Sequence, residues 1–390
     1  MSDDALLDEE LEDSLEDLGS IDNWADGAVL WSTDWTAETI IAQLTRNNID
    51  LNPNFQRRSA WNDSKQSLFI ESLVLGLPIP QLILAESQER RGSFIVIDGK
   101  QRLTAIRRFG TTDDNPDFKT LKLRGLKELE RLNGKTYKKI QEESSLSEDR
   151  AAFENASIRT IVIRNWQNEE YLYEVFLRIN TGSVQLSPQE LRQALHPGDF
   201  SNFVDSASAN SNELKRALNL KAPDFRMRDA EILLRYIAYR NFIGEYNGNL
   251  KSFLDDTTKK LNANWSTWEA KITAQVQELE EAFRLTREAF SEKHYLRKWN
   301  GDEFEPRKNR AVFDIMLHFF SLPELRDALT AKKSEIKNKF VALCEEDSFR
   351  VSLESTTKSM EANQIRFNSW GDAMAELSGV NLDAMKFPIG

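Results

Sequence analysis

The chain has 390 residues, with 63 acidic and 51 basic side chains and a formal charge of −12. At 40% hydrophobic, with 22 Phe and 9 Trp, it can bury a sizeable core, which excludes global disorder. One cysteine, Cys344, excludes a disulfide framework and a Cys-built zinc site, and His196, His294 and His318 form no metal-ligand spacing.

Residues 1–22 hold ten acids and no Lys or Arg, so ten of the twelve net negative charges sit there. A like-charged block of this kind stays solvated and repels itself, and residues 1–25 read as a disordered acidic tail. Leu7, Leu11, Leu15 and Leu18 follow a helical spacing, which leaves open a segment that docks on a basic surface. No basic-then-apolar signal pattern and no apolar run of roughly 18 residues is visible, so a cytoplasmic protein without membrane contact is expected.

Ala28 to Ser32 reads as a strand, and Thr36 caps a helix carrying Ile40, Ile41 and Leu44. Asn62 caps a second helix, Ser64 to Leu75, whose buried face is expected to hold Leu68, Phe69, Ser72, Leu73 and Leu75. Gly76, Pro78 and Pro80 end it. Leu82–Ala85 and Phe94–Ile97 form a hairpin, and the period then turns helical at DGKQRLTAIRRF. Residues 112–157 read as an insertion or lid with weak structure, and Ser157 to Arg164 as a further strand. Beyond about 168 the periodic segments are helical, among them Tyr171–Ile179, Pro188–Ala194, Asp229–Phe242, Trp268–Phe290, Arg310–Phe320 and Pro323–Ala331. The expected fold class is α+β, with an α/β domain over 26–167 and an all-helical domain over 168–390.

The most informative stretch is Ile97-Asp98-Gly99-Lys100-Gln101-Arg102. A buried strand ends in Asp-Gly and a helix begins at once. Gly99 allows a sharp turn and a close ligand approach, and the first amides of the helix face that space with the helix dipole behind them. Such geometry binds phosphate. Lys100 and Arg102 can add charge, and Asp98 can hold Mg2+ or orient a water. A plain strand–turn–helix with solvated charges is the alternative. Two more polar clusters stand out. Asn54-Phe55-Gln56-Arg57-Arg58 precedes a helix. Around Arg178-Ile179-Asn180-Thr181-Gly182 one helix stops, and at Ser187-Pro188-Gln189-Glu190-Leu191-Arg192 another starts. Ordinary caps and a surface ion pair would explain them equally well.

These clusters, in this order, resemble the ParB/sulfiredoxin-like superfamily and more closely its GmrS-type branch, the S component of restriction systems that cut modified phage DNA. The matching pieces are FQRRSAW (55–61), ESLVLGLPIPQLIL (71–84), FIVIDGKQRLTAI (94–106) and FLRINTGSVQLSPQELR (176–192). Weaker pieces follow at Arg228-Asp229-Ala230-Glu231 with Arg235, at Asn309 to Asp314 and at Arg366-Phe367. The resemblance implies a nucleotide-binding α/β domain that hydrolyses a nucleoside triphosphate. The usual DGQQR motif reads DGKQR here, with Lys100 as the departure. The candidate catalytic residues are then Asp98, Gln101, Arg102 and Glu190, with Asp98 as the metal ligand. The candidate nucleotide-binding residues are Gln56, Arg57, Gly99, Lys100, Arg178, Asn180, Thr181 and Gly182. Many relatives carry an HNH nuclease with a His-centred site, which nothing here matches.

The expected function is an Mg2+-dependent triphosphatase acting as sensor or regulatory subunit of an anti-phage restriction system. GTP, ATP or CTP is the nucleotide, modified phage DNA and a separately encoded nuclease are the partners, and a homo-oligomer is possible. The alternatives are a metal-dependent nuclease with Asp98, Glu190 and Glu231 as ligands, and a non-enzymatic nucleotide-switched adaptor on DNA. Basic residues of the helical half, from Arg284 to Arg310, with Tyr295 and Trp299, would either grip nucleic acid or simply pack.

Overall fold

The computed structural model describes residues 27–49, 51, 61–111, 118–179, 187–354 and 359–388. The acidic tail lies outside them. Two compact units divide the chain between Leu195 and His196.

The first unit is built on a four-stranded sheet: β1 (Val29–Thr36), β2 (Leu82–Glu86), β3 (Phe94–Asp98) and β4 (Ser157–Arg164). Their order is β1-β4-β2-β3. The β1/β4 and β2/β3 pairs are antiparallel, and β2/β4 is parallel. Alternation sends Leu82, Leu84, Phe94, Val96, Ile158 and Val162 into one core, and Ile83, Ala85, Ile97 and Ile163 into another on the opposite face. Apolar residues on both faces explain the unbroken apolar runs Leu82–Ala85 in β2 and Ile161–Ile163 in β4.

The first face is covered by α1 (Ala37–Thr45), α2 (Asp63–Val74) and α3 (Lys100–Gly110). The caps read from sequence are in place: Thr36 Oγ1 accepts from Thr39 N at 3.1 Å, and Asn62 Oδ1 from Lys65 N at 2.9 Å. The second face is covered by α6 (Glu169–Ile179) and α7 (Pro188–Leu195), through Tyr171, Leu172, Tyr173, Phe176 and Leu191.

The expectation of a weakly structured insertion over 112–157 is corrected for the residues described. Two short helices, α4 (Tyr137–Glu142) and α5 (Ser147–Glu154), lie there. Leu121, Leu123, Leu126, Leu129, Leu132, Tyr137, Ile140, Leu146 and Phe153 all belong to the first-face core. Their apolar residues fall at irregular intervals because one-turn 3-10 segments and loops, not one long helix, carry them.

The buried face of α2 keeps Phe69 and Leu73 as expected but is turned away from Leu68, Ser72 and Leu75. Gln66, Ser67, Ile70 and Glu71 are buried, while Leu75 is exposed. Each buried polar group is satisfied. Gln66 accepts from Arg108 (2.7 Å), Ser67 Oγ from Arg124 N (3.1 Å), and Glu71 from the amides of Lys127, Glu128 and Leu129. Burial pushes the Glu71 carboxyl up, but those three amides and the Lys127 charge outweigh it and hold the pKa below the ordinary 4.5. A folded pKa below the unfolded one gives stability that is present above 4.5 and lost as pH falls below it. Glu71→Gln is therefore expected to cost about 1–3 kcal/mol at neutral pH and to flatten the acid limb of the stability curve. Urea denaturation across pH checks both.

The second unit is helical among its described residues, from α8 (Asp199–Asn210) and α9 (Asn212–Ala217) to α17 (Met360–Ser378). Between them run α10 (Arg228–Phe242), α11 (Leu250–Ala263), the long α12 (Trp265–His294), α13 (Arg310–Phe320), α14 (Pro323–Leu329), α15 (Lys333–Glu345) and α16 (Asp347–Ser352). Helices α10 and α13 are buried on nearly every side. Their centre holds a charge network: Arg235 grips Asp314 with two hydrogen bonds, and Arg366 stands 3.6 Å from the same carboxylate.

Candidate functional site

The turn between β3 and α3 has the geometry read from the sequence. Asp98 ends the strand, Gly99 takes φ +103°, and Lys100 opens the helix. Glycine is needed here twice over. A side chain would be strained at that φ, and a Cβ would stand 2.3 Å from Leu82 Cδ2, which is fully buried. Gly99→Ala is expected to cost about 2–4 kcal/mol from the backbone strain and the displaced Leu82 together, measured by thermal denaturation. Gly99 offers no side chain to cap α3, so the dipole of an eleven-residue helix points out through its first amides.

The side chains around the turn are held in ion pairs. Arg102 Nη2 donates to Asp98 Oδ2 at 2.8 Å, and Nη1 donates to the carbonyls of Pro80 and Gln81, the latter at 2.8 Å. It thereby ties the turn to the segment that enters β2. Asp98 is partly exposed, and its Oδ1 meets no donor among the described residues. Lys100 Nζ reaches Glu190 Oε1 at 2.9 Å, both side chains buried. Glu190 also closes the first turn of α7: its Oε2 accepts from Ser187 N at 2.8 Å, while Ser187 Oγ accepts from Glu190 N at 3.1 Å. One buried pair thus joins the N-termini of α3 and α7, 90 residues apart in sequence. Two positive helix ends face a region that one lysine and one glutamate span.

Gln101 Oε1 accepts from Trp61 N at 3.4 Å, which links α3 to the chain entering α2. Arg192 is almost fully buried and donates to Gln189 Oε1 at 2.7 Å. Arg178, near the end of α6, is exposed and pairs with Glu174 one turn earlier. Gln56, Arg57, Asn180, Thr181 and Gly182 lie outside the described residues. The structure therefore brings Asp98, Gly99, Lys100, Gln101, Arg102 and Glu190 together, and Glu231 lies in the other unit, 3.6 Å from Arg235.

Among the described residues no group of three or more His, Cys, Asp and Glu side chains is placed to hold a metal ion. Asp98 Oδ1 remains a single carboxylate oxygen, which is the kind of protein ligand that Mg2+ combines with phosphate oxygens. Burial pushes the His318 imidazole down to about 3, against the opposing hydrogen bond to Met385 O, and it stays neutral.

The basic residues of the helical unit are mostly occupied. Arg284 pairs with Glu281, Arg287 with Glu213 and Glu292, and Lys298 with Glu305 and Glu354. Lys308 donates to Ala217 O and Tyr295 Oη, and burial with the nearby Arg297 brings it down to about 8. Tyr295 is buried and Trp299 packs edge-on against Phe304. Of the two readings of these aromatics, packing describes their positions. No helix among the described residues is long and apolar enough to cross a membrane.

Sequence reasoning passed over Glu71 and the Arg108–Asp63–Gln66 cluster, which fix α2 against α3 and the 119–129 segment. Their only trace in the sequence is polar residues at core spacing within α2.

Residues 39–197 match the family model described as GmrSD restriction endonuclease, N-terminal domain. The match begins after β1, spans β2, β3, β4, the Asp98–Arg102 turn and all of α7, and ties this segment to a restriction-system family. No curated protein and no solved structure matches the chain.

Proposed function

From the match to a restriction-endonuclease N-terminal domain, we propose that the chain is a nucleoside-triphosphate-hydrolysing sensor or regulatory subunit of a DNA restriction system. The observation that carries this reading is the turn itself. A left-handed Gly99 joins a buried strand to an uncapped helix N-terminus, with Asp98 and Lys100 on either side of it. The sequence resemblance to the GmrS-type branch implies a nucleotide-binding domain, and this turn is the element of it best suited to phosphates. In this reading the α3 amides and Lys100 hold the phosphates. Asp98 would be the protein ligand of Mg2+ beside the phosphates, and the ion would supply charge neutralisation on the terminal phosphate when bound. Gln56, Arg57, Arg178, Asn180, Thr181 and Gly182 are proposed as further nucleotide contacts on the sequence resemblance alone. DNA, modified in the phage, is the signal, and a separately encoded nuclease does the cutting.

The second reading is an adaptor that binds nucleotide without hydrolysing it. It is favoured by one observation: Asp98 and Glu190 are each held by a cation, which leaves neither as an evident general base.

Incubation of the whole protein with Mg2+ and labelled ATP, GTP or CTP, with and without plasmid DNA, separates these readings. Turnover of one nucleotide, lowered by roughly 100-fold in Asp98→Asn, supports the triphosphatase. Binding without turnover supports the adaptor. Nicked or linearised plasmid would make the chain itself the nuclease.

A further inference from the structure

Residues 119–139 hold eight Lys and Arg against two acids, Glu128 and Glu130, a local charge of +6 in a chain of net −12. Their backbone is pinned to the sheet-bearing unit. Leu121 N donates to Arg108 O at 2.8 Å, and Arg108 Nε donates to Lys119 O at 2.8 Å. Leu123 N donates to Lys135 O at 2.9 Å, and Gly134 N to Leu123 O at 2.7 Å, so two stretches of the segment run side by side. Leu121, Leu123, Leu126, Leu129 and Leu132 enter the core, and all but one of the eight cations between and beside them are exposed. A fixed backbone therefore displays the charges, with the long side chains left outside.

Only part of this charge is answered by acids. Arg124 pairs with Asp63, Arg131 with Asp149 and Lys135 with Glu143. Lys122, Lys138 and Lys139 are exposed and form no ion pair among the described residues. These three come from neighbouring pieces of chain. Lys122 alternates with the buried Leu121 and Leu123, on the outward side with Arg124. Its Cε stands 3.7 Å from where a Cβ on Gly134 would lie, so its side chain crosses toward the 134–136 stretch. That stretch leads straight into α4, where Lys138 and Lys139 follow Tyr137. Lys139 lies one turn before Glu143, on the side to which Lys135 reaches.

We propose that this surface, centred on Lys122, Lys138 and Lys139, binds the phosphate backbone of duplex DNA. The proposal rests on the reading of DNA as the signal, and gives it a place on the chain. Exposed lysines without acid partners are what a polyanion neutralises. The segment offers no ring for a base to stack on: Tyr137 is buried, and Phe118 lies beneath Arg107 at 5.0 Å. It also leaves no large apolar side chain exposed, which a lipid surface or an apolar protein partner would need. The contact is therefore to phosphates and blind to sequence. Arg108, which anchors the segment, lies in the last turn of α3, and Lys100 opens the same helix. The DNA surface and the Gly99 turn thus sit toward opposite ends of one helix about 16 Å long.

Fluorescence anisotropy of the full chain with a labelled, unmodified duplex, without nucleotide and across a salt series, tests the surface. Binding at low salt is expected, equal for duplexes of different sequence and weakening steeply as salt rises. The triple variant Lys122→Gln/Lys138→Gln/Lys139→Gln is expected to bind at least about tenfold more weakly at low salt, with the logarithmic salt slope reduced by about 0.9 for each lysine. Its melting temperature should not change, since none of the three side chains holds an acid. Lys271→Gln, an exposed lysine of the other unit, is expected to change neither affinity nor slope. Equal affinity in the triple variant and the wild type overturns the proposal. So does tighter binding of a peptide of residues 1–22 than of the duplex, which would assign the surface to the acidic tail. A chain that hydrolyses nucleotide but binds no duplex also overturns it and leaves the triphosphatase standing. Duplex binding through these lysines without turnover leaves the surface standing and removes the triphosphatase.

Discussion

Replacing Asp314 by alanine is expected to cost about 3–5 kcal/mol, enough to unfold the helical unit at moderate temperature. Asp314 on α13 takes two hydrogen bonds from Arg235 on α10 and lies 3.6 Å from Arg366 on α17. Burial alone would lower the pKa of Arg235, but Asp314, with smaller contributions from Tyr239 and Glu231, raises it well above its ordinary value. The guanidinium therefore remains charged in the core, and only this carboxylate binds it with two hydrogen bonds. Removing Asp314 leaves two buried cations, Arg235 and Arg366, with only Glu231, 3.6 Å from Arg235, to offset them. Restoring neutrality with Arg235→Met in the Asp314→Ala background should recover part of the loss, because the penalty is the uncompensated charge and not the missing contact. Far-ultraviolet melting of the single and double variants checks this. A double variant no more stable than Asp314→Ala would contradict it.

Arg102→Ala is the second large effect. The side chain is buried and holds Asp98 together with the carbonyls of Pro80 and Gln81. Its loss orphans two carbonyls and a carboxylate, at about 3 kcal/mol, and lowers the melting temperature of the sheet-bearing unit by roughly 5–12 °C. This residue was expected from sequence to contact phosphate. Its geometry gives it a second task, closing the turn that presents the α3 amides, so its alanine variant will lose activity and stability together. Asp98→Asn is the cleaner probe, since the amide oxygen can still accept from Arg102. A melting temperature unchanged in Arg102→Ala would show that the carbonyls are satisfied in some other way.

Much of the sheet-bearing unit was legible because its signals are local. The β2–β3 hairpin is two apolar runs around a polar turn, and Thr36 and Asn62 are caps that act within three residues. The Asp98–Gly99 turn is legible for the same reason, since a glycine between strand and helix has few other uses. The segment from Leu121 to Phe153 was not legible, because its leucines reach the core from loops and single turns with no fixed period. The role of Glu71 was hidden too: the three amides that pay for its burial lie 56 to 58 residues further on. Lys100 and Glu190 could each be singled out, but not as a pair, since nothing in a sequence marks which distant carboxylate a lysine will meet. The polar residues of α10, α13 and α17 likewise look like surface charges until the helices bring them inside.

The proposed function requires that the turn at Gly99 hold a triphosphate. Isothermal titration of the whole protein with the non-hydrolysable forms of ATP, GTP and CTP, each with Mg2+, measures this without relying on turnover. The predicted result is binding of at least one of them that weakens by about tenfold or more in Asp98→Asn, at an unchanged melting temperature. Absence of heat with all three nucleotides, or equal affinity in the wild type and Asp98→Asn, would contradict it.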